Sequence, residues 1–120
     1  MILGIGVDLI EVERIGKAVE KERFFQRVYC EEEREYIASH GKQTAAGFFA
    51  AKEAVAKALG TGFTCFGPQA MVIVHDELGA PRATLTGGAL ARFEALGGQR
   101  IHLSITHVEQ NAAAFAIIEG

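Results

Sequence analysis

The sequence predicts a single α+β domain over residues 1–120, with a mostly antiparallel sheet and a long central helix. Three observations predict it. The chain opens on an apolar stretch too short and too rich in β-formers for anything but a strand. An alanine-rich segment near the middle runs for sixteen residues with Gly47 as its one weak point. The second half breaks into short alternating stretches joined by turns, without the regular strand–helix alternation of a doubly wound sheet.

Ile2 to Val12 is apolar except for Asp8 and Glu11 and reads as the first strand. Glu13 to about Arg27 reads as a helix with Ile15, Ala18, Val19 and Phe25 apolar. A short acidic helix follows from Glu31 to Ser39; three glutamates in its first turn suit the positive end of the helix dipole. Thr44 to Leu59 is the central helix, closed by Gly60-Thr61-Gly62 as a glycine C-cap requires. Ala70 to His75 and Arg82 to Thr86 are strands around the turn Asp76-Glu77-Leu78-Gly79. Gly88 to Leu96 is a short amphipathic helix ended by Gly97-Gly98. Arg100 to Thr106 alternates, with Ile101, Leu103 and Ile105 on one face and His102, Ser104 and Thr106 on the other. Val108 to Asn111 connects it to the last strand, Ala112 to Glu119. The order is β-α-α-α-β-β-α-β-β.

Hydrophobic residues make up 49% of the chain and charged residues 22%, which excludes an intrinsically disordered chain. A chain of this length buries about two-thirds of its surface on folding, enough for a core without disulfides or a structural metal. No apolar run reaches the ~18 residues of a membrane helix. The N-terminus lacks the basic region of a signal peptide, so the expected compartment is the cytoplasm. The net charge of −3 argues against a nucleic-acid binder, although nine of the 12 Lys and Arg fall in the first half. Cys30 and Cys65 lack CxxC spacing, and the four histidines form no zinc pattern.

Asp8 is the most informative residue. Facing inward, its carboxylate is costly unless paired or bound to a cation; facing outward, it needs no explanation. Gly4 and Gly6, just before it, either permit close approach of another backbone or a ligand, or mark a bend. Glu53 and Lys57 lie four apart on the central helix, the spacing of a surface ion pair. Their surroundings point elsewhere. Ala46, Phe49, Ala50 and Ala54 share their face, while Phe48, Ala51, Val55 and Leu59 form the opposite stripe, and a helix apolar on both sides is buried on both sides. Two carboxylates with no thiol or imidazole beside them suit Mg²⁺, and Lys57 suits phosphate. Arg14, Lys17 and Lys21 fall on one helical stripe, read either as a solvated face or as a dock for an acidic partner. His107 follows the polar side of its strand.

Together these segments resemble the holo-acyl-carrier-protein synthase family, the small bacterial 4′-phosphopantetheinyl transferases. One motif is Gly4-Ile5-Gly6-Val7-Asp8-Leu9-Ile10-Glu11-Val12, continuing to Arg14-Ile15. The second is Phe49-Ala50-Ala51-Lys52-Glu53-Ala54, continuing through Lys57-Ala58-Leu59-Gly60-Thr61-Gly62. Ser104-Ile105-Thr106-His107 and Asp76-Glu77-Leu78-Gly79-Ala80-Pro81 add weaker matches, so the likeness spans the whole chain. The resemblance implies transfer of the phosphopantetheine arm of coenzyme A to a serine of apo-acyl carrier protein, with adenosine 3′,5′-bisphosphate released. It implies that Asp8 and Glu53 hold Mg²⁺, and that Lys57 offsets phosphate charge. Either Glu53 or metal-bound water serves as base. Gly60, Thr61, Gly62, Thr106 and His107 match positions near the nucleotide end of coenzyme A, and Arg14, Lys17 and Lys21 become a dock for the acidic carrier protein. It also implies a homotrimer with coenzyme A between subunits, which gives the second apolar face of the central helix somewhere to bury. Neither nucleic acid nor membrane is a partner.

Two departures stand out. Phe48 occupies a position where the family usually has an arginine, with Lys42 or Lys52 as candidate substitutes. Cys30 starts a helix where relatives often have Ser or Thr. The missing arginine also motivates a reading from another class, a non-catalytic module that binds coenzyme A or a carrier protein; the intact Asp8, Glu53 and Lys57 argue against it.

Overall fold

A computed structural model describes residues 1–120. The elements are β1 (Ile2–Glu11), α1 (Val12–Val19), α2 (Glu22–Val28), α3 (Glu31–His40), α4 (Lys42–Ala58), a 3-10 turn (Pro68–Ala70), β2 (Met71–His75), β3 (Pro81–Leu85), α5 (Gly87–Ala95), β4 (Arg100–His107) and β5 (Asn111–Glu119). The α+β class and the expected order hold, with one division. The helix expected from Glu13 to Arg27 is two helices, because Lys21 is extended at φ −83°, ψ 114°. The cause is visible in the pattern. α1 buries Val12 and Ile15, but the next large apolar residues after Val19 are Phe24, Phe25 and Val28, off the stripe a straight helix would continue. The chain turns to bring them to the core.

Two antiparallel sheets form. One has three strands in the order β1-β5-β4; the other is the β2-β3 hairpin. Asp76 shapes that hairpin: its Oδ1 accepts from the Leu78 and Ala80 amides at 3.0 and 2.9 Å. Those bonds, with Arg82 alongside, hold its carboxyl below the usual range. Gly41 joins α3 to α4 in a single residue, at φ +105°, which a side chain rarely tolerates.

α4 lies against the inward face of the three-stranded sheet, and the contact is made of small residues on both sides. β5 presents Ala112, Ala114, Ala116 and Ile118, all buried, toward α4, whose Ala46, Ala50 and Ala54 are buried as well. β1 presents Gly4 and Gly6. A Cβ on Gly6 would stand 1.9 Å from the Ala54 carbonyl oxygen, and one on Gly4 1.9 Å from that of Ala58. These glycines serve close approach of two backbones, the first of the two readings their position allowed. Both apolar faces of α4 are therefore covered within one chain, so a partner subunit is not needed to cover them. The apolar surface left open belongs instead to the outer face of the sheet, where Ile5, Val7, Leu9 and Phe115 are exposed and Val7 pairs directly with Phe115. No helix is long and apolar enough to cross a membrane.

Candidate active site

Strand alternation decides the side on which Asp8 lies. Gly4, Gly6, Asp8 and Ile10 face α4; Ile5, Val7 and Leu9 face out. Asp8 is thus the inward carboxylate, its side chain only 16% exposed. Its Oδ1 accepts from Lys57 Nζ at 3.2 Å, and the same ammonium donates to the Val7 carbonyl at 3.0 Å. Its Oδ2 is buried with no hydrogen-bond partner. Glu53 stands one turn before Lys57 on α4. Burial, and then the negative charge of Asp8, push its carboxyl above the usual range, with Lys57 pulling the other way. β1 and α4 thus bring Asp8, Glu53 and Lys57 together, held by the glycine-mediated contact.

The arrangement has an unmet need for positive charge. One carboxylate oxygen is buried without a partner, and two carboxylates repel each other in partly desolvated surroundings. Lys57 answers half of this, since its side chain remains 51% exposed. Of its three N–H groups two are engaged, leaving one for a phosphate oxygen. A hard divalent cation fits the donor set, with its remaining ligands falling to water and substrate phosphate.

Lys52, next in sequence to Glu53, does something else. Its Nζ pairs with Glu33 at 2.8 Å and donates to the Pro68 and Met71 carbonyls at 2.9 and 2.8 Å. Both charged side chains are buried. Burial pulls the Lys52 ammonium down from its ordinary range, and Glu33 opposes that. Glu33 also accepts from the Cys30 and Ile73 amides. This pair ties α3, α4 and β2 together. With all three donors engaged, Lys52 cannot take the phosphate role suggested for it. Lys42 pairs with Glu13 at 2.9 Å on the surface.

The other predicted residues separate into groups. Gly60, Thr61 and Gly62 form the turn directly after α4, near Lys57; Gly60 and Gly62 have φ of +84° and +57°. Arg92 Nε donates to the Leu59 carbonyl at 2.9 Å and braces the turn from α5. Thr106 and His107 lie toward the opposite end of α4. Thr106 continues the outer face of β4, whereas His107 lines an inward pocket of about 300 Å³ with Ile105, Gln43, Thr44 and Phe48. α4 is about 25 Å long at 1.5 Å per residue, so the candidate nucleotide-binding residues do not share one pocket within the chain. Arg14 and Lys17 are exposed on α1. Lys21 lies beyond its end, capping α2, so the three do not form one helical stripe.

Sequence reasoning did not find Tyr36, His40 and His75, which line the pocket with His107. Tyr36 stacks with His40 at 3.9 Å and with His75 at 4.9 Å between ring centroids, and Phe48 packs 5.6 Å from both Tyr36 and His75. No local spacing announces a cluster drawn from α3, α4, β2 and β4.

Residues 4–116 match the 4′-phosphopantetheinyl transferase superfamily. The chain belongs to that family. It is 46% identical over 122 residues to the holo-[acyl-carrier-protein] synthase of Clostridium novyi, covering 99% of this chain and 88% of the relative. The Clostridium tetani enzyme of the same name is 45% identical over 123 residues, covering 100% and 98%. Among solved structures, the Neisseria meningitidis holo-[acyl-carrier-protein] synthase superposes with a TM-score of 0.88 at 35% identity, covering all of both chains. The Helicobacter pylori synthase in complex with coenzyme A gives 0.85 at 29% identity, covering 96% and 99%.

Proposed function

We propose that this protein transfers the 4′-phosphopantetheine arm of coenzyme A to a serine of apo-acyl carrier protein, giving holo-carrier protein and adenosine 3′,5′-bisphosphate. The observation that carries the reading is the inward Asp8, with a buried unpartnered oxygen, beside Glu53 and Lys57. It coincides with membership of the transferase family. In the reaction the serine Oγ bonds to the phosphorus nearer pantetheine, and the bridging P–O bond breaks. The bridging oxygen leaves on adenosine 3′,5′-bisphosphate, and the serine proton passes to a base.

Such a reaction asks the protein mainly for positioning and charge. Asp8 and Glu53 are the residues that would hold Mg²⁺, which would supply charge neutralisation to the transferring phosphoryl group. Lys57 directs its free N–H to a phosphate oxygen and orients the pyrophosphate. Either Glu53 or water on the cation would accept the serine proton. The turn Gly60-Thr61-Gly62, with Thr106 and His107, contacts the nucleotide portion.

The working unit is a homotrimer, each chain contributing one domain. Two features support this: the exposed apolar outer face of the sheet, and the division of nucleotide-binding residues between the two ends of α4. Coenzyme A bridging two subunits would reunite them. Arg14 and Lys17, with Lys21 beside them, dock the acidic carrier protein. Reversing Arg14 and Lys17 to glutamate should raise KM for carrier protein while leaving coenzyme A affinity unchanged, and an unchanged KM at low salt would count against the dock. The compartment is the cytoplasm, a reducing setting in keeping with the free thiols of Cys30 and Cys65.

The test is intact-mass spectrometry of apo-acyl carrier protein incubated with this protein, coenzyme A and Mg²⁺. A gain of one phosphopantetheine arm is expected. No gain with several carrier proteins, alongside coenzyme A binding that ignores Mg²⁺, would favour the non-catalytic binding module.

A further inference from the structure

Arg92 makes the only hydrogen bond between α5 and the end of α4: its Nε donates to the Leu59 carbonyl at 2.9 Å. Leu59 is fully buried, and its carbonyl accepts no other bond. The last carbonyls of a helix lack partners within it and carry the negative end of its dipole. A guanidinium placed there satisfies a buried acceptor and offsets that charge at once. Arg92 is itself half-buried and forms no ion pair, so no carboxylate draws it away from Leu59.

The same guanidinium lies over the turn that follows. A Cβ on Gly60 would stand 3.4 Å from Arg92 Nη2. The turn is stacked on the end of α4 that carries Lys57. The Gly60 amide donates to the Lys57 carbonyl at 2.9 Å, and the Gly62 amide to the Ala56 carbonyl at 3.2 Å. The Thr61 hydroxyl donates to the Gly62 carbonyl at 3.0 Å, and the Thr64 hydroxyl to the Thr61 carbonyl at 2.9 Å, so these side chains close the turn on itself. The Lys57 side chain has a separate support, because it is tied to Val7 and Asp8 on β1. What Arg92 holds is the turn.

We propose that Arg92 is a positioning residue, which fixes the Gly60-Thr61-Gly62 turn from α5 and so sets the affinity for coenzyme A without touching it. The inference rests on the coenzyme A reading above, which assigns this turn to the ligand. The physical link is the Leu59 carbonyl. Deprived of its donor, a buried acceptor either stays unsatisfied or reaches water. Leu59 is fully buried, so water reaches its carbonyl only if the turn or α5 moves away. A turn that has moved no longer matches the ligand. A lysine at position 92 still gives Leu59 one charged donor. It lacks the planar fork with which a guanidinium grips a phosphate through two parallel bonds. Rescue by lysine therefore separates positioning from direct contact.

The experiment compares the unmodified protein with Arg92→Met and Arg92→Lys by calorimetric titration with coenzyme A, transfer kinetics and amide hydrogen exchange. Methionine keeps an apolar stem at this half-buried position, so the fold should stand. Its Kd for coenzyme A should rise about tenfold or more, the size of one lost hydrogen bond to a charged group. KM for coenzyme A should rise with it while kcat falls far less, the pattern of lost ground-state binding. The Gly60 and Gly62 amides should exchange about tenfold faster, with Ala50 in mid-α4 unchanged. Arg92→Lys should restore Kd to within about threefold. An unchanged Kd or unchanged Gly60 exchange in Arg92→Met would overturn the inference. So would a lysine variant as weak as the methionine one, which would make the guanidinium a direct ligand contact. Transfer by the unmodified protein with affinity indifferent to Arg92→Met would defeat this inference alone. Affinities that change as expected without any transfer would defeat the transferase reading and leave the inference standing; no coenzyme A binding by the unmodified protein would defeat both.

Discussion

Replacing Gly6 by alanine should cripple the protein without removing a functional group. The added Cβ would stand 1.9 Å from the Ala54 carbonyl oxygen and 2.8 Å from the Ala58 amide nitrogen, both backbone atoms of α4. Ordinary contact begins at 3.4 Å, so β1 must retreat from the helix by about 1.5 Å. Overpacking of this kind costs about 1–3 kcal/mol. For a domain of this size that is a fall in Tm of roughly 4–12 °C. The functional effect should be larger. Asp8 lies two residues further along the same strand, and the Lys57 bonds to Val7 and Asp8, at 3.0 and 3.2 Å, span the gap that opens. A misplacement of about 1 Å in a reacting group lowers the rate on the order of 100-fold. Thermal unfolding and a transfer assay on the same preparation measure both effects. Gly67→Ala is the control: it has a negative φ and nothing within 4 Å of its added Cβ, and should behave as the unmodified protein. If Gly6→Ala kept its Tm and turned over within twofold of the unmodified protein, the idea that backbone contact between β1 and α4 positions Asp8 would be wrong.

Three further outcomes follow from the same geometry. Lys52→Met should destabilise by about 3–5 kcal/mol in urea unfolding, because Glu33 keeps its charge in a buried place without its partner; a loss below about 1 kcal/mol would show the pair to be dispensable. Glu53→Gln should raise Tm at about pH 8 and give no gain at about pH 4. The folded protein holds the Glu53 proton more tightly than the unfolded chain does, so stability falls as pH rises from the ordinary carboxylate value through the raised one, and the amide removes that penalty. An equal or lower Tm at the higher pH would contradict the sign. Val7→Asp with Phe115→Asp, on the outer face of the sheet, should shift the mass in solution from trimer to monomer by light scattering; a monomer before substitution would remove the trimer.

The main parts of the candidate site were legible because they depend on local pattern. Asp8 interrupts an apolar strand, and Glu53 and Lys57 interrupt an alanine-rich helix; each oddity sits inside an element whose period is plain. Which side each residue would face was less legible. Lys52 and Glu53 are neighbours separated by about 100° around α4. One closes a buried ion pair with α3 while the other faces Asp8, and that difference depends on where α3 and β2 pack rather than on spacing. The break between α1 and α2 was missed for a similar reason: Lys21 has no turn signature, and the chain bends because Phe25 and Val28 find the core elsewhere. The histidine pocket is the extreme case. Its residues come from five elements between Tyr36 and His107, and only folding makes them neighbours.

The central claim is that Asp8 and Glu53 form the metal-dependent centre of a phosphopantetheinyl transferase. It is tested most directly by initial rates of holo-carrier protein formation for the unmodified protein, Asp8→Asn and Glu53→Gln, each with Mg²⁺ and with EDTA. The account predicts transfer by the unmodified protein only when Mg²⁺ is present, and a loss of about 100-fold or more in either variant with the fold intact. Turnover close to that of the unmodified protein in both variants, or full activity in EDTA, would contradict it.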